Sequence, residues 1–185
     1  MKRRLFLLIF AIIMLASSCS AQIKHPEWPD SWVRVGDRIG VEAPEGFELV
    51  EENDVLSISG IYYYAWAKGE GRTVTNSEGK EAVAYPVQVL LLYMETDKPE
   101  SAIADWLGIE KENYEAAEGP QIEGFDTLTM TSKEADGAYS GGSAAFGRAP
   151  GGAISVEVMT DGGADSDEIL KKFISGIHFA ESAEG

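Results

Sequence analysis

Histidine, the side chain that most often performs acid–base catalysis, is scarce in this sequence. It contains two histidines, His25 and His178, which lie far apart along the chain. A serine or cysteine nucleophile needs a base held beside it, and the sequence has none of the common hydrolase, zinc-protease or phosphate-loop motifs. We therefore predict a protein without enzymatic activity, and we interpret His178 as a histidine of a terminal strand.

Carboxylates are abundant, and the densest group is the segment 161–168. Oxygen ligands on a glycine-bearing loop suit calcium, but the spacing is not that of an EF-hand and the glycines precede the acids. Capping of a following helix explains the segment without a metal. A second group, 51–54, is typical of a solvated turn. We predict no metal and no cofactor, and a hydrolase with two convergent carboxylates is the alternative class.

Three aromatic residues form the best candidate for a binding surface. Tyr62, Tyr64 and Trp66 alternate along a predicted strand and share one face of it. One interpretation is a core strand, because the opposite face is also apolar. The other is an exposed groove for a small apolar ligand, a glycan or a partner peptide. The burial of the three rings distinguishes the two interpretations.

The first residues have the composition of an export signal. Basic residues at positions 2–4 precede an apolar run, 5–16, that is shorter than the roughly 20 residues of a membrane-spanning helix. Small residues follow, and then Cys19, the only cysteine of the chain. Residues 15–19 resemble the lipobox of bacterial lipoproteins, although Ala16 stands where that family more often has leucine.

This resemblance implies that residues 1–18 are a signal peptide and that Cys19 is acylated and becomes the mature N-terminus. Residues 19–31 would then be the lipidated cysteine and a tether. The protein would be attached to the bacterial cell envelope, and Ser20 resembles an outer-membrane sorting signal. The alternative is cleavage by the ordinary signal peptidase, for instance after Ala21, which would give a free periplasmic or secreted protein.

The charge of the chain argues against nucleic acid as a partner. The 185 residues have a formal net charge of -16, and removal of the leader with its three basic residues would make it -19. Such a surface repels phosphate backbones and anionic head groups. Attachment to a membrane would therefore depend on the lipid at Cys19. Besides the membrane, we predict a protein of the cell envelope as the partner.

The patterns along residues 32–185 predict a single α+β domain with a short acidic C-terminal tail. The segment 85–94 is apolar on both alternating faces, which is typical of a strand in the middle of a covered sheet. Helices are predicted at 98–107, ended by Gly108, and after Asp165. We expect a mostly antiparallel sheet of six to nine strands with two helices. A closed antiparallel barrel with a C-terminal helix is the alternative.

The order of these elements resembles the Mog1/PsbP-like α/β/α sandwich. The resemblance depends on an opening turn, an aromatic strand, a buried strand leading into a helix, and a closing helix and strand, at residues 43–47, 62–66, 85–107 and 169–179. It implies a binding or assembly factor without chemistry of its own. A carrier of a small apolar ligand, with a cavity beside the aromatic strand, is the alternative.

Overall fold

The computed structural model describes residues 27–53, 59–75, 81–133 and 138–180. Within these residues the chain forms two helices and twelve strands. The helices are α1 (Pro99–Asn113) and α2 (Ser166–Ser175). The strands are β1 (Val33–Val35), β2 (Ile39–Val41), β3 (Glu48–Asn53), β4 (Ile61–Lys68), β5 (Arg72–Thr75), β6 (Glu81–Ala84), β7 (Val87–Glu95), β8 (Tyr114–Glu118), β9 (Phe125–Ser132), β10 (Gly141–Ala149), β11 (Gly152–Thr160) and β12 (Ile177–Phe179).

The main sheet has seven strands in the order β3-β4-β7-β11-β10-β9-β8, and all neighbours are antiparallel. This confirms the predicted α+β fold with a mostly antiparallel sheet and two helices. In the described chain the sheet is open, because β3 and β8 are its two edges and do not pair with each other. The alternative of a closed barrel is therefore wrong.

Strand β7 lies between β4 and β11 and is covered on both faces, as its doubly apolar sequence predicts. Its alternating side chains enter two separate cores. Val89 and Leu91 pack in the core beneath α2, where they join Phe173. Met94 contacts the other core, which lies beneath α1. The sheet is therefore the middle layer of a sandwich.

Two smaller sheets complete the described fold. Strands β1, β2 and β12 form a three-stranded sheet that shares the core of α2, and β5 pairs with β6 in a separate hairpin. The strand predicted after the second helix is confirmed as β12, which pairs with β2. A hydrogen bond from the Glu42 N–H to the Gly176 carbonyl, 2.8 Å long, extends this pairing toward α2.

Helix α1 is longer than the sequence predicts. It continues through Gly108 to Asn113 and runs directly into β8. A glycine stops a helix most effectively in the left-handed conformation, and Gly108 is not among the glycines with positive φ. A glycine inside a helix costs only about 1 kcal/mol. The good helix formers that follow it, Glu110 to Glu112, therefore extend the helix.

Several predicted features lie outside the described residues. They are the signal peptide, Cys19, residues 20–26 of the tether and residues 181–185 of the acidic tail. In the part of the chain that the structure describes, no helix combines the length and the apolar composition needed to cross a membrane.

Candidate functional site

The aromatic residues of β4 lie mainly inside the protein. The exposed fraction is 2% for Tyr64 and 1% for Trp66, whereas Tyr62 is half-buried. The Trp66 ring packs edge-on against Phe173 of α2, with ring centroids 5.0 Å apart. The Tyr64 hydroxyl donates to the carbonyl of Arg34 over 3.1 Å. The interpretation as a core strand therefore describes Tyr64 and Trp66, and neither ring lines the cavities described below.

The carboxylates of the segment 161–168 have local hydrogen-bond partners. Asp165 is the N-cap of α2 and accepts from the Glu168 N–H over 3.1 Å. Asp161 accepts from the Gly163 N–H over 3.2 Å. In the described ranges no three histidine, cysteine or acidic side chains are placed together as metal ligands. Capping accounts for the position of Asp165.

The other acidic group, 51–54, differs from the prediction. Glu51 and Glu52 are exposed as predicted, but they belong to strand β3 rather than to a turn. They pair with Ala65 and Tyr64 of β4, and this pairing holds the segment extended. Asp54 lies outside the described residues.

A buried polar network attaches α2 to the main sheet. Ser143 of β10 has no exposed surface, and its hydroxyl lies 2.7 Å from the Ser166 hydroxyl and donates to the Asp167 carboxylate. Thr129 of β9 donates to the same carboxylate over 3.1 Å. Among the described residues no histidine belongs to this group, since the ring of His178 in β12 stacks on Trp32. The network attaches α2 to strands β9 and β10.

An open groove lies between α1 and the β8 side of the main sheet. It consists of two adjoining cavities of about 870 Å³ and about 650 Å³ that share Leu107, Phe125 and Asp126 in their walls. Both volumes are in the range of ligand sites in proteins. We call this feature the α1 groove, and its walls are parts of 100–111 on α1, 116–118 on β8, 119–124 in the following loop, 125–128 on β9 and 146–148 on β10.

The groove is open because α1 covers the sheet incompletely. Only Ala102 and Ile103 of this helix are buried, while Trp106 and Leu107 are half-buried. The smaller cavity has Ile103, Leu107 and Phe146 in its lining, and the larger one has charged as well as apolar side chains. In the lining of the smaller cavity, Arg148 forms an exposed ion pair with Glu100. Apolar side chains interspersed with polar groups are typical of a binding surface.

The loop that forms one wall of the groove is held by hydrogen bonds. The Gly119 N–H donates to the Thr127 carbonyl over 3.2 Å, and the Thr127 hydroxyl donates to the Pro120 carbonyl over 2.8 Å. A side chain at position 119 would collide with the backbone of β9, because its Cβ would lie 2.8 Å from Leu128 atoms. The wall is therefore formed before any ligand binds.

Two glutamates interact where α1 packs on β11. Burial, and to a smaller extent the nearby Glu157 carboxylate, raise the pKa of Glu110 to about 7. Burial also raises the pKa of Glu157, which accepts a hydrogen bond from the Ser155 hydroxyl over 3.1 Å. One oxygen of Glu110, Oε2, is buried and has no hydrogen-bond partner among the described residues.

The sequence did not indicate the groove or the two glutamates. Both depend on the last turn of α1, beyond the predicted stop at Gly108. A helical pattern extended past this glycine would have placed Leu107 and Lys111 on one face, one turn apart. No local pattern could have paired Glu110 with Glu157, because they belong to different elements.

Comparisons with protein-family models, with curated proteins and with solved structures found no match for this chain. The function is therefore argued from the α1 groove, from the two glutamates and from the sequence itself.

Proposed function

We propose that this protein is attached to the outer membrane of a bacterial envelope through lipid on Cys19 and acts there as a non-enzymatic binding or assembly module. The α1 groove is its binding surface. The single observation that supports this best is the groove itself, which is lined by apolar and charged side chains and has a wall fixed by hydrogen bonds. Such pre-formed surfaces bind without the cost of ordering a loop.

The sequence supports the other parts of the proposal. The leader with Cys19 supports lipid attachment, and the net charge of -16 favours protein partners over nucleic acid or anionic lipid. Membership of the Mog1/PsbP-like group is also part of the proposal. The sandwich of an antiparallel sheet between helical layers is compatible with it, and the resemblance implies binding or assembly rather than chemistry.

The attachment is tested by Cys19→Ala. We expect this variant to leave the membrane fraction and appear in the soluble fraction, because alanine at position 19 cannot be acylated. The intact mass of the parent protein, grown with a labelled fatty acid, should equal the chain from Cys19 plus acyl groups. An unmodified mass starting after Ala21 would contradict attachment and indicate a free periplasmic or secreted protein.

The binding surface is tested by photo-crosslinking in cells. A photoreactive residue at Ala117, in the groove, should give a discrete adduct with one envelope component. The matched control places the same residue at Lys171, which is exposed on α2 on the opposite side of the sheet. Equal adducts from both positions, or none from Ala117, would contradict the groove as the binding surface.

A carboxylate-based hydrolase is the second candidate, and one observation favours it. Glu110 has a pKa of about 7 beside a second carboxyl group, and such a pair can supply a general acid and a base. The test is hydrolysis of nitrophenyl glycosides and esters by the parent, by Glu110→Gln and by Glu157→Gln. Activity that both substitutions abolish would support this candidate, and turnover unchanged in both variants would exclude this pair as its catalytic groups.

A further inference from the structure

Strand β8 is a regular edge of the main sheet. Its five residues pair with β9 in unbroken register, from Tyr114 opposite Ser132 to Glu118 opposite Leu128. Four of the five, residues 115–118, are exposed, and no described strand pairs with its outer side. In an antiparallel edge strand, alternate residues direct both backbone hydrogen-bonding groups away from the sheet. The backbone of β8 is therefore a template for one more strand.

Strand β3, the opposite edge of the sheet, is paired irregularly. The pairing of β3 with β4 shifts register between Leu49 and Glu51. A bulge of this kind interrupts the ladder and increases the local twist, which hinders the addition of a further strand. Strand β8 has neither a register shift nor a proline. Of the two edges, β8 is the one suited to pairing.

The surface around β8 is acidic. From Lys111 to Lys133 there are five exposed carboxylates and two exposed lysines. The carboxylates are those of Glu112, Glu115, Glu118, Glu123 and Asp126. A second copy of this edge would bring glutamates close to glutamates, which is unfavourable, whereas lysine or arginine would form attractive cross-strand pairs. The charge therefore favours a basic strand over self-association.

We propose that β8 binds an extended, basic segment of a partner protein as an additional strand of the main sheet. Backbone hydrogen bonds to β8 supply affinity, and the α1 groove, whose lining includes Ala116 and Glu118, accepts alternate side chains of the segment. This inference rests on the proposed function, since it names the class of partner for the same groove.

The direct test uses the full-length protein in detergent and a short synthetic peptide that alternates lysine with valine. We expect binding, measured by fluorescence anisotropy of a labelled peptide, and slower hydrogen exchange of the amides of 114–118. The same peptide with alternate backbone nitrogens methylated should bind at least about tenfold more weakly, because strand pairing needs those N–H groups. Equal binding by both peptides would overturn strand addition.

Charge variants test the partner class. The double variant Glu115→Lys with Glu118→Lys should lose about tenfold or more in affinity for the lysine peptide and gain affinity for a glutamate–valine peptide. The matched control is Glu48→Lys with Glu52→Lys on the other edge, where both side chains are also exposed. Thermal melts verify that both variants fold. Equal losses in the two variants would indicate only general electrostatic attraction and would overturn the assignment to β8.

The inference and the proposed function can fail separately. If photo-crosslinks from Ala117 identify an envelope component but neither the lysine peptide nor that component protects residues 114–118 from exchange, strand addition is wrong and the binding role stands. If Ala117 gives no adduct and the peptide does not bind, both fail.

Discussion

Ionisation of Glu110 destabilises the folded state. Its pKa is about 7 in the folded protein, raised first by burial and then by Glu157, and 4.5 is the ordinary value that an unfolded chain would show. The folded state therefore binds the proton more tightly. By linkage, this group's contribution to stability is present below about pH 4.5 and is lost as the pH rises toward about 7.

We predict that the stability of Glu110→Gln changes less than that of the parent protein between pH 4.5 and about 7. Above pH 7 the variant should be more stable than the parent by about 1 kcal/mol, a figure reduced because the side chain is only half-buried. Thermal melts between pH 4 and 8 provide the measurement. The control is Glu112→Gln, an exposed carboxylate on the same helix. Parallel profiles for parent and Glu110→Gln would contradict the prediction.

Ser143 is a second residue with a predictable effect. Its buried hydroxyl donates to Asp167, so Ser143→Ala leaves the carboxylate with fewer donors and loosens the attachment of α2. We expect a loss of about 1 to 3 kcal/mol in urea unfolding. Ser175→Ala is the control, because that side chain is exposed and its hydroxyl donates to the Lys172 carbonyl within its own helix. Equal losses in the two variants would argue against the network.

At the scale of the elements, the unexpected length of α1 can be tested at Gly108. An alanine Cβ at Gly108 would meet no atom within 4 Å. We therefore predict that Gly108→Ala stabilises the protein by about 0.5 to 1 kcal/mol in urea unfolding. The matched control is Gly124→Ala, which has equal space but a φ of +80°, so the same change should destabilise. A destabilised Gly108→Ala would mean that the helix ends near this residue.

Local patterns predicted the elements whose sequences are periodic or continuously apolar. Strand β7, helix α2 and strand β12 are of this kind. Strand β8 was not predicted, because Tyr114–Glu118 consists largely of alanine and glutamate, which favour helix. It is extended because β9 pairs with it along its whole length. The α1 groove could not be predicted for the same reason, because tertiary packing of separate elements positions its walls.

At the scale of the whole molecule, the net charge of -16 implies self-repulsion in the compact state. We predict that the melting temperature rises when sodium chloride is added, because salt screens exposed charges beyond roughly 8 Å at physiological ionic strength. The double variant Glu48→Lys with Glu52→Lys should show a smaller rise. A melting temperature that falls with salt would mean that attractive ion pairs, such as Glu168 with Lys172, outweigh the repulsion.

The three-stranded sheet of β1, β2 and β12 limits how early the core beneath α2 can form. It joins β2, near the start of the domain, to β12, near its end. Val35, Ile39 and Val41 are fully buried in the layer that this sheet completes. Closing so long a loop costs entropy before its contacts stabilise the fold. Nearly the whole chain must therefore leave the ribosome before the core beneath α2 can close.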